Sequence, residues 1–320
     1  MTTTTLEQLS DEIFAEIFEY IPMNNLYRSF SGLNRRINSV LSSVPTRLVF
    51  RWVRPEEILN RRVAFFTNRI RKLLVCHSSP LNLVHFPNVR YLELERPTRE
   101  QCNEIQSHTV PHLECIRINN NHTKLAAAAF HQLCCSLFNN EFPRLHTCIL
   151  INIQFNHQWS EIPCALRSIQ IDVQNCQDLS YLLQRCPQLV QLKIMLDDQH
   201  FYFHHSNICQ TLRKLDLYLR INDWSCEELE SLLIVMPNLK SMSIQTPFDQ
   251  RSQLTVESLA NVLRRCTPKL NTFFINTMIK QLPSTNDIGQ LHPLFKFVRV
   301  SQLVTTQSEY ITISSKLMNE

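Results

Sequence analysis

The chain has 320 residues, with 32 Lys and Arg against 28 Asp and Glu for a formal net charge of +4; the charges are interspersed rather than blocked, so the balance does not single out nucleic acid as a partner. Only Gly32 and Gly289 supply glycine, and they lie far apart. Phosphate-cradling loops, dinucleotide fingerprints, kinase glycine loops and nucleophile elbows all need glycine where the backbone turns sharply or meets a ligand, so these enzyme classes are excluded.

Met1 to Thr5 are polar, without the cationic and apolar regions of a secretion signal, and no apolar run reaches the roughly eighteen residues of a membrane span. The twelve cysteines therefore read as buried thiols of a reducing compartment, cytoplasmic or nuclear.

Residues 1–45 read as a helical module. From Leu6 to Leu41 the apolar spacing predicts three short helices, the first with Leu9, Ile13 and Ile17 on one stripe and Phe14, Phe18 and Ile21 on another. A helix with two apolar stripes needs two partners. Ser10 is the expected N-cap, Asp11 and Glu12 suit the positive end of the helix dipole, and Pro22 stops the helix. A second helix starts near Asn24 or Asn25 and carries Leu26 and Phe30. A third, after the Ser31-Gly32 break, carries Leu33, Ile37, Val40 and Leu41. About forty residues is near the lower limit for independent folding, so part of this apolar surface is expected to dock elsewhere.

Residues 46–69 are poorly patterned and are expected to connect the module to a repeat over residues 70–280. There an anchor, two residues, an apolar, one residue and another apolar recur nine times: Ile70, Leu73, Val75; Val89, Leu92, Leu94; Leu113, Ile116, Ile118; Leu145, Cys148, Leu150; Leu166, Ile169, Ile171; Leu189, Leu192, Ile194; Leu212, Leu215, Leu217; Leu239, Met242, Ile244; Leu270, Phe273, Ile275. Pro87, Pro111, Pro143, Pro187, Pro237 and Pro268 each stand two residues before an anchor, where a preceding helix must end. Between triplets, Leu179, Leu182, Leu183 and Cys186, then Leu229, Leu232, Leu233 and Met236, then Leu259, Val262, Leu263 and Cys266, have helical spacing. The expected class is α/β: parallel strands lining a concave face, helices on the convex face, each unit burying its neighbour's apolar edge. In residues 281–320, Phe295, Phe297 and Val298 to Val300, then Tyr310, Ile311 and Ile313, are expected as strands of a C-terminal cap.

The run LSDEIFAEIFEYI at Leu9 to Ile21, followed by NLYRSFSGLNRRI at Asn25 to Ile37, resembles the F-box. Leu9, Glu12, Ile13, Phe14, Ile17, Phe18, Leu26, Leu33, Arg35 and Arg36 fall on that pattern in register, while Ser10 replaces its usual Pro and Ile37 its usual Trp. The run LLQRCPQLVQLKI at Leu182 to Ile194 resembles the cysteine-containing leucine-rich repeats that commonly follow an F-box. That family's asparagine after each triplet is matched by Asn121 alone, so the solenoid is expected to be irregular.

The resemblance implies a substrate receptor of a Skp-cullin-F-box ubiquitin ligase, with no catalytic site of its own. Its Skp-type adaptor would bind Leu9, Ser10, Glu12, Ile13, Phe14, Ile17, Leu26 and Phe30. A target protein would bind outward side chains of the concave strands, Tyr91, Glu93, Arg117, Ile149, Gln170, Lys193, Met195, Asp216, Tyr218 and Phe274. The alternative is a stand-alone leucine-rich interaction scaffold whose N-terminal helices cap the solenoid.

No cofactor or metal is expected, since no C-x-x-C pair has zinc spacing and Cys134-Cys135 are adjacent rather than chelating. His200 and His204 have the spacing of a shared helix face, and an exposed loop explains them as well. The cluster of Arg61, Arg62, Arg69, Arg71 and Lys72 reads as a solvated face, and Asn121-His122-Thr123 as an idle glycosylation pattern. Neither a nucleic acid nor a membrane is expected as partner.

Overall fold

The computed structural model describes residues 8–21, 23–44, 46–50, 66–76, 82–120, 127–159, 162–196, 208–220, 225–246, 251–252, 255–276, 278–279, 288–295, 299–305 and 308–315. The chain divides into two compact units, Met1–Leu145 and His146–Glu320. Each is a mixed α/β structure built on parallel strands.

The first unit begins with α1 (Asp11–Tyr20), α2 (Met23–Phe30) and α3 (Arg35–Ser43). Phe14, Phe18, Leu26, Ile37, Val40, Leu41 and Val44 form their shared core, with Leu9, Ala15, Ile21 and Phe30 packed at its margin. The Phe18 and Phe30 rings meet at 4.8 Å between centroids. Ser10 has the extended backbone of an N-cap, but its side chain makes no capping bond. Its hydroxyl instead bonds the Glu12 carboxylate. Asn34 does cap α3, its Oδ1 accepting the Ile37 N–H at 2.8 Å. That cap starts the helix at Arg35, so Leu33, expected inside it, lies outside and is exposed. Gly32 has a φ of 79°, a left-handed backbone that favours glycine. Its N–H donates to Asn38 Oδ1 at 2.9 Å.

Four strands follow, β1 (Thr46–Phe50), β2 (Ile70–Cys76), β3 (Tyr91–Glu95) and β4 (Cys115–Asn119), with α4 (Arg99–Glu104) before β4 and α5 (Ala127–Phe138) after it. They pair in parallel and in chain order. The expected connector thus contains a strand, β1, which lies beside β2 and widens the sheet by one position before the first triplet.

In the second unit, β5 (Thr147–Gln154), β6 (Ser168–Val173), α6 (Cys176–Arg185), β7 (Gln191–Leu196), β8 (Lys214–Leu219), α7 (Cys226–Ile234), β9 (Ser241–Gln245), β10 (Arg251–Ser252), α8 (Val256–Cys266), β11 (Thr272–Asn276) and β12 (Met278–Ile279) alternate along the chain. From β5 through β9 to β11 the strands pair in parallel, and the triplets stand in register. Cys148 lies opposite Ile169, then Leu192, Leu215, Met242 and Phe273 continue the line. Every triplet residue in both units is buried. At about 1.5–3 kcal/mol for burying each large side chain, this repeated line is the main favourable contribution to the sheet. Leu179, Leu182 and Leu183 of α6, Leu229, Leu232 and Leu233 of α7, and Leu259, Val262 and Leu263 of α8 bury the other side of that core. Register shifts once, between Ile149 and Gln154 of β5. There Asn152 has a φ of 58°, the left-handed kink of a bulge.

The prolines before the anchors have a more local role than stopping helices. The N–H groups of Val89, Leu113, Leu145, Leu189, Leu239 and Leu270 each bond the carbonyl three residues earlier, at 3.0 to 3.2 Å. Each proline therefore occupies the second position of a β-turn, where its fixed φ is already correct.

The C-terminal strands are antiparallel. After α9 (Ile288–Leu291), β13 (Arg299–Thr305) and β14 (Ser308–Ser315) form a hairpin, and β14 lies against β11, covering the edge of the last parallel strand. Phe295, expected in a strand, is instead buried in the short turn Pro293–Phe295, with its ring 6.4 Å from that of Phe273. Phe297 and Val298 lie outside the described residues.

Candidate docking surfaces

Two surfaces present side chains outside the core, one in each unit. The first is on α1. Phe14 and Phe18 point into the three-helix core at 1% exposure each, whereas Ile13, Ile17 and Tyr20 are 44%, 38% and 83% exposed. Leu9 is partly exposed, so Leu9, Ile13, Ile17 and Tyr20, spaced by four, four and three residues, run along one helix face. The helix carries two apolar stripes because it has two faces to satisfy, and its own bundle covers only one.

Arg36 on α3 fixes the start of this helix. Its Nε lies 2.7 Å from Asp11 Oδ1, its guanidinium also donates to the Leu9 carbonyl, and its charge sits 5.7 Å from the Phe14 ring centroid. The Glu12 carboxyl is held below the usual range by the Ser10 hydroxyl and its own backbone N–H, with a smaller contribution from Arg36. A carboxylate and an apolar line therefore share the outer side of α1.

Of the residues expected to contact an adaptor, Leu9, Ser10, Glu12, Ile13 and Ile17 lie on this surface. Phe14 and Leu26 do not: both are 1% exposed and belong to the module's own core, and Phe30 packs at its margin. Tyr20 was missed, although its position one turn past Ile17 places it on the same line.

The second surface is the sheet face turned away from the helices. In the second unit the outward residues stand in register as Ile149, Gln170, Lys193, Asp216, Ser243 and Phe274. Two residues further along come Asp172, Met195, Tyr218 and Gln245. A shallow groove of roughly 320 Å³ lies over them, its wall completed by Ile151, Asn152 and Arg220. Lys214 Nζ lies 3.3 Å from Asp216 Oδ2, while Lys193 is exposed. Asp172, Asn152, Gln245 and Arg220 were not expected at this site. The strand register would have found Asp172 and Gln245, but nothing in the pattern announces the Asn152 bulge.

The corresponding residues of the first unit are engaged with one another. The Tyr91 hydroxyl donates to Glu93 Oε2 at 3.1 Å, Glu93 Oε1 is 3.5 Å from Arg117 Nε, and Lys72 Nζ lies 4.2 Å from the Tyr91 ring centroid. Burial and the neighbouring Glu93 carboxylate push the Tyr91 phenol up, so it keeps its proton and its donor role.

Among the described residues no cluster of three or more His, Cys, Asp or Glu is placed to hold a metal ion. The cysteines are free thiols. Burial pushes Cys102 and Cys115 up to about 11, which leaves little thiolate at neutral pH. Cys135 Sγ lies 3.5 Å from His131 Nδ1, a helix-face contact across one turn. His200, His204, Arg61, Arg62 and the Asn121-His122-Thr123 pattern lie outside the described residues, within which no helix is long and apolar enough to cross a membrane. No family model matches the chain, and no curated protein matches it in sequence.

Proposed function

We propose that the chain is the target-binding subunit of a Skp-cullin-F-box ubiquitin ligase, with residues 1–45 as the F-box and the strands and helices beyond as an irregular leucine-rich-repeat solenoid. The observation that carries this reading is the division of α1: Phe14 and Phe18 complete a closed core, while Ile13, Ile17 and Tyr20 remain outside it. An exposed apolar line on a small helical module is a docking face, and Leu9, Ile13 and Ile17 of that line fall on the F-box pattern, as do Phe14 and Phe18 of the core beneath it. The groove over Lys193, Met195, Asp216 and Tyr218 supports a separate site for a protein target. In this role the chain performs no chemistry. It holds target lysines near the transferred ubiquitin, which turns an encounter into an effectively intramolecular step.

The test is co-purification of the full chain with a Skp-type adaptor, for the wild type and for Ile13→Asp. Burying an unpaired carboxylate in an apolar interface costs several kcal/mol. Loss of the adaptor by a folded variant is the expected result, and undiminished binding removes the F-box assignment.

A second reading, a stand-alone interaction scaffold whose helices cap the sheet, draws on one contact. The Tyr27 ring of α2 lies 6.3 Å from that of Phe66, just before β2. That contact uses α2 and leaves the outer face of α1 open, so absence of any adaptor from the wild-type purification decides for the scaffold.

A further inference from the structure

We infer that the edge of the second unit where the parallel strands begin is a docking site for an acidic, extended protein segment. This inference is independent of the ligase reading, because it uses neither the outer face of α1 nor the groove of the open sheet face.

The observation is a row of residues one position after each anchor: His146, Arg167, Val190, Arg213, Lys240 and Asn271. Their backbones form a continuous ladder. The N–H of Arg167 bonds the His146 carbonyl at 2.9 Å, and Val190, Arg213, Lys240 and Asn271 each bond the preceding member at 2.8 Å. Neighbouring members are thus one strand apart, about 4.8 Å. Arg167 and Lys240 are exposed and Arg213 is partly so. Among the described residues the Arg213 guanidinium reaches carbonyl oxygens alone, those of Gln210 and Asn238, at 3.2 and 3.0 Å. Lys269, just before the Leu270 anchor, adds another exposed cation, held to Asn238 Oδ1 at 2.6 Å. Among the described residues no carboxylate pairs with Arg167, Arg213, Lys240 or Lys269. The row contains no acidic residue.

Such a row concentrates positive potential along one line, whereas the whole chain carries only +4. The spacing suits an extended chain crossing the strands: at about 3.3 Å per residue, acidic residues three apart are separated by roughly 10 Å, the distance from Arg167 to Arg213 across two strands. Val190 decides between a peptide and a nucleic acid. It is 41% exposed in the middle of the row, and the row offers no Phe, Tyr or Trp ring. Single-stranded nucleic acids are held by stacking on aromatic side chains between cations, whereas an acidic segment with one apolar residue satisfies both the cations and the valine.

The test is fluorescence anisotropy of a labelled deca-glutamate peptide titrated with the full chain, at low and at physiological salt. Binding that weakens with salt and falls about tenfold or more in Arg167→Glu/Arg213→Glu/Lys240→Glu supports the site. Because Arg213 also bonds two backbone carbonyls, Arg167→Glu/Lys240→Glu, confined to exposed residues, is measured alongside and should fall in the same direction. The charge reversal Arg28→Glu/Arg99→Glu, at exposed cations outside the row, should leave binding within about twofold of wild type. Failure of the peptide to bind, equal loss on reversing Arg28 and Arg99, or tighter binding of a labelled uridine decamer through the same row would each overturn the inference.

Discussion

Ile13 and Phe14 are adjacent in sequence and opposite in environment, 44% and 1% exposed on the two sides of α1. Truncating each to alanine should therefore separate folding from docking. Phe14→Ala removes a ring packed 5.6 Å from Phe18 and should destabilise the helical module by about 3–5 kcal/mol. Ile13→Ala, at the surface, should stay within about 0.5 kcal/mol. Thermal denaturation of the two variants checks this. Equal losses would mean that a neighbouring element covers Ile13 in the free protein.

This contrast marks what the sequence made legible. The triplets could be read because a strand buries every second residue and the repeat imposes that spacing nine times over, so register and class followed from periodicity. The two stripes of α1 were equally visible. Which one its own bundle would cover was not, because Leu9, Ile13 and Ile17 are as apolar as Phe14 and Phe18; only the position of α3, pinned by Arg36 to Asp11, decides it. Leu26 was misplaced for the same reason. β1 was missed because it precedes the first triplet and its TRLVF run lacks the triplet spacing. The Asn152 bulge escaped because a non-glycine residue at positive φ leaves no mark in composition.

The buried thiols give a pH dependence. Cys102 rises from an ordinary 9.0 to about 11, mainly through burial, and Cys115 does the same. Burial also pushes up the Tyr91 phenol. An acid whose folded pKa is raised keeps its proton in the native state after the unfolded chain has released it, so stability falls as pH rises between about 9 and 11. Denaturation midpoints across that interval should decline, and iodoacetamide at pH near 8 should leave Cys102 unmodified in the native protein but not in urea. Equal labelling in both states would remove the burial argument.

His292 works in the opposite direction. Burial, with a smaller contribution from Arg264, holds its imidazole below the ordinary 6.5. Its Nδ1 accepts the Leu294 N–H at 3.1 Å, which requires that nitrogen to be unprotonated. A base with a lowered folded pKa is neutral in the native state while the unfolded chain gains a proton. Its stabilising contribution is complete above about 6.5 and is lost as pH falls below that value. His292→Gln should flatten the decline in denaturation midpoint between neutral and mildly acidic pH. A variant that declines as steeply as wild type would assign the acid sensitivity to other groups.

The proposed function puts target capture on the open face of the second unit. Lys193, Met195, Asp216 and Tyr218 lie side by side on β7 and β8, in register, with their strands held from beneath by Leu192, Ile194, Leu215 and Leu217. Because alternate residues of a strand serve opposite faces, outward side chains can be truncated without opening the core. Asp216 is the one most engaged, with Lys214, and a surface pair of that kind is worth only about 0–1 kcal/mol. Replacing all four by alanine should therefore leave the denaturation midpoint nearly unchanged and leave the adaptor binding proposed for α1 intact. Met195 and Tyr218 supply the apolar and aromatic anchors that usually dominate an interface, so proteins crosslinked to the wild type in cells should be lost in the quadruple variant. The comparison that matters is with Glu227→Ala/Glu230→Ala on the helix-covered side. Retention of those proteins by the open-face variant, together with their loss on changing α7, would move the target site from the sheet to the helices.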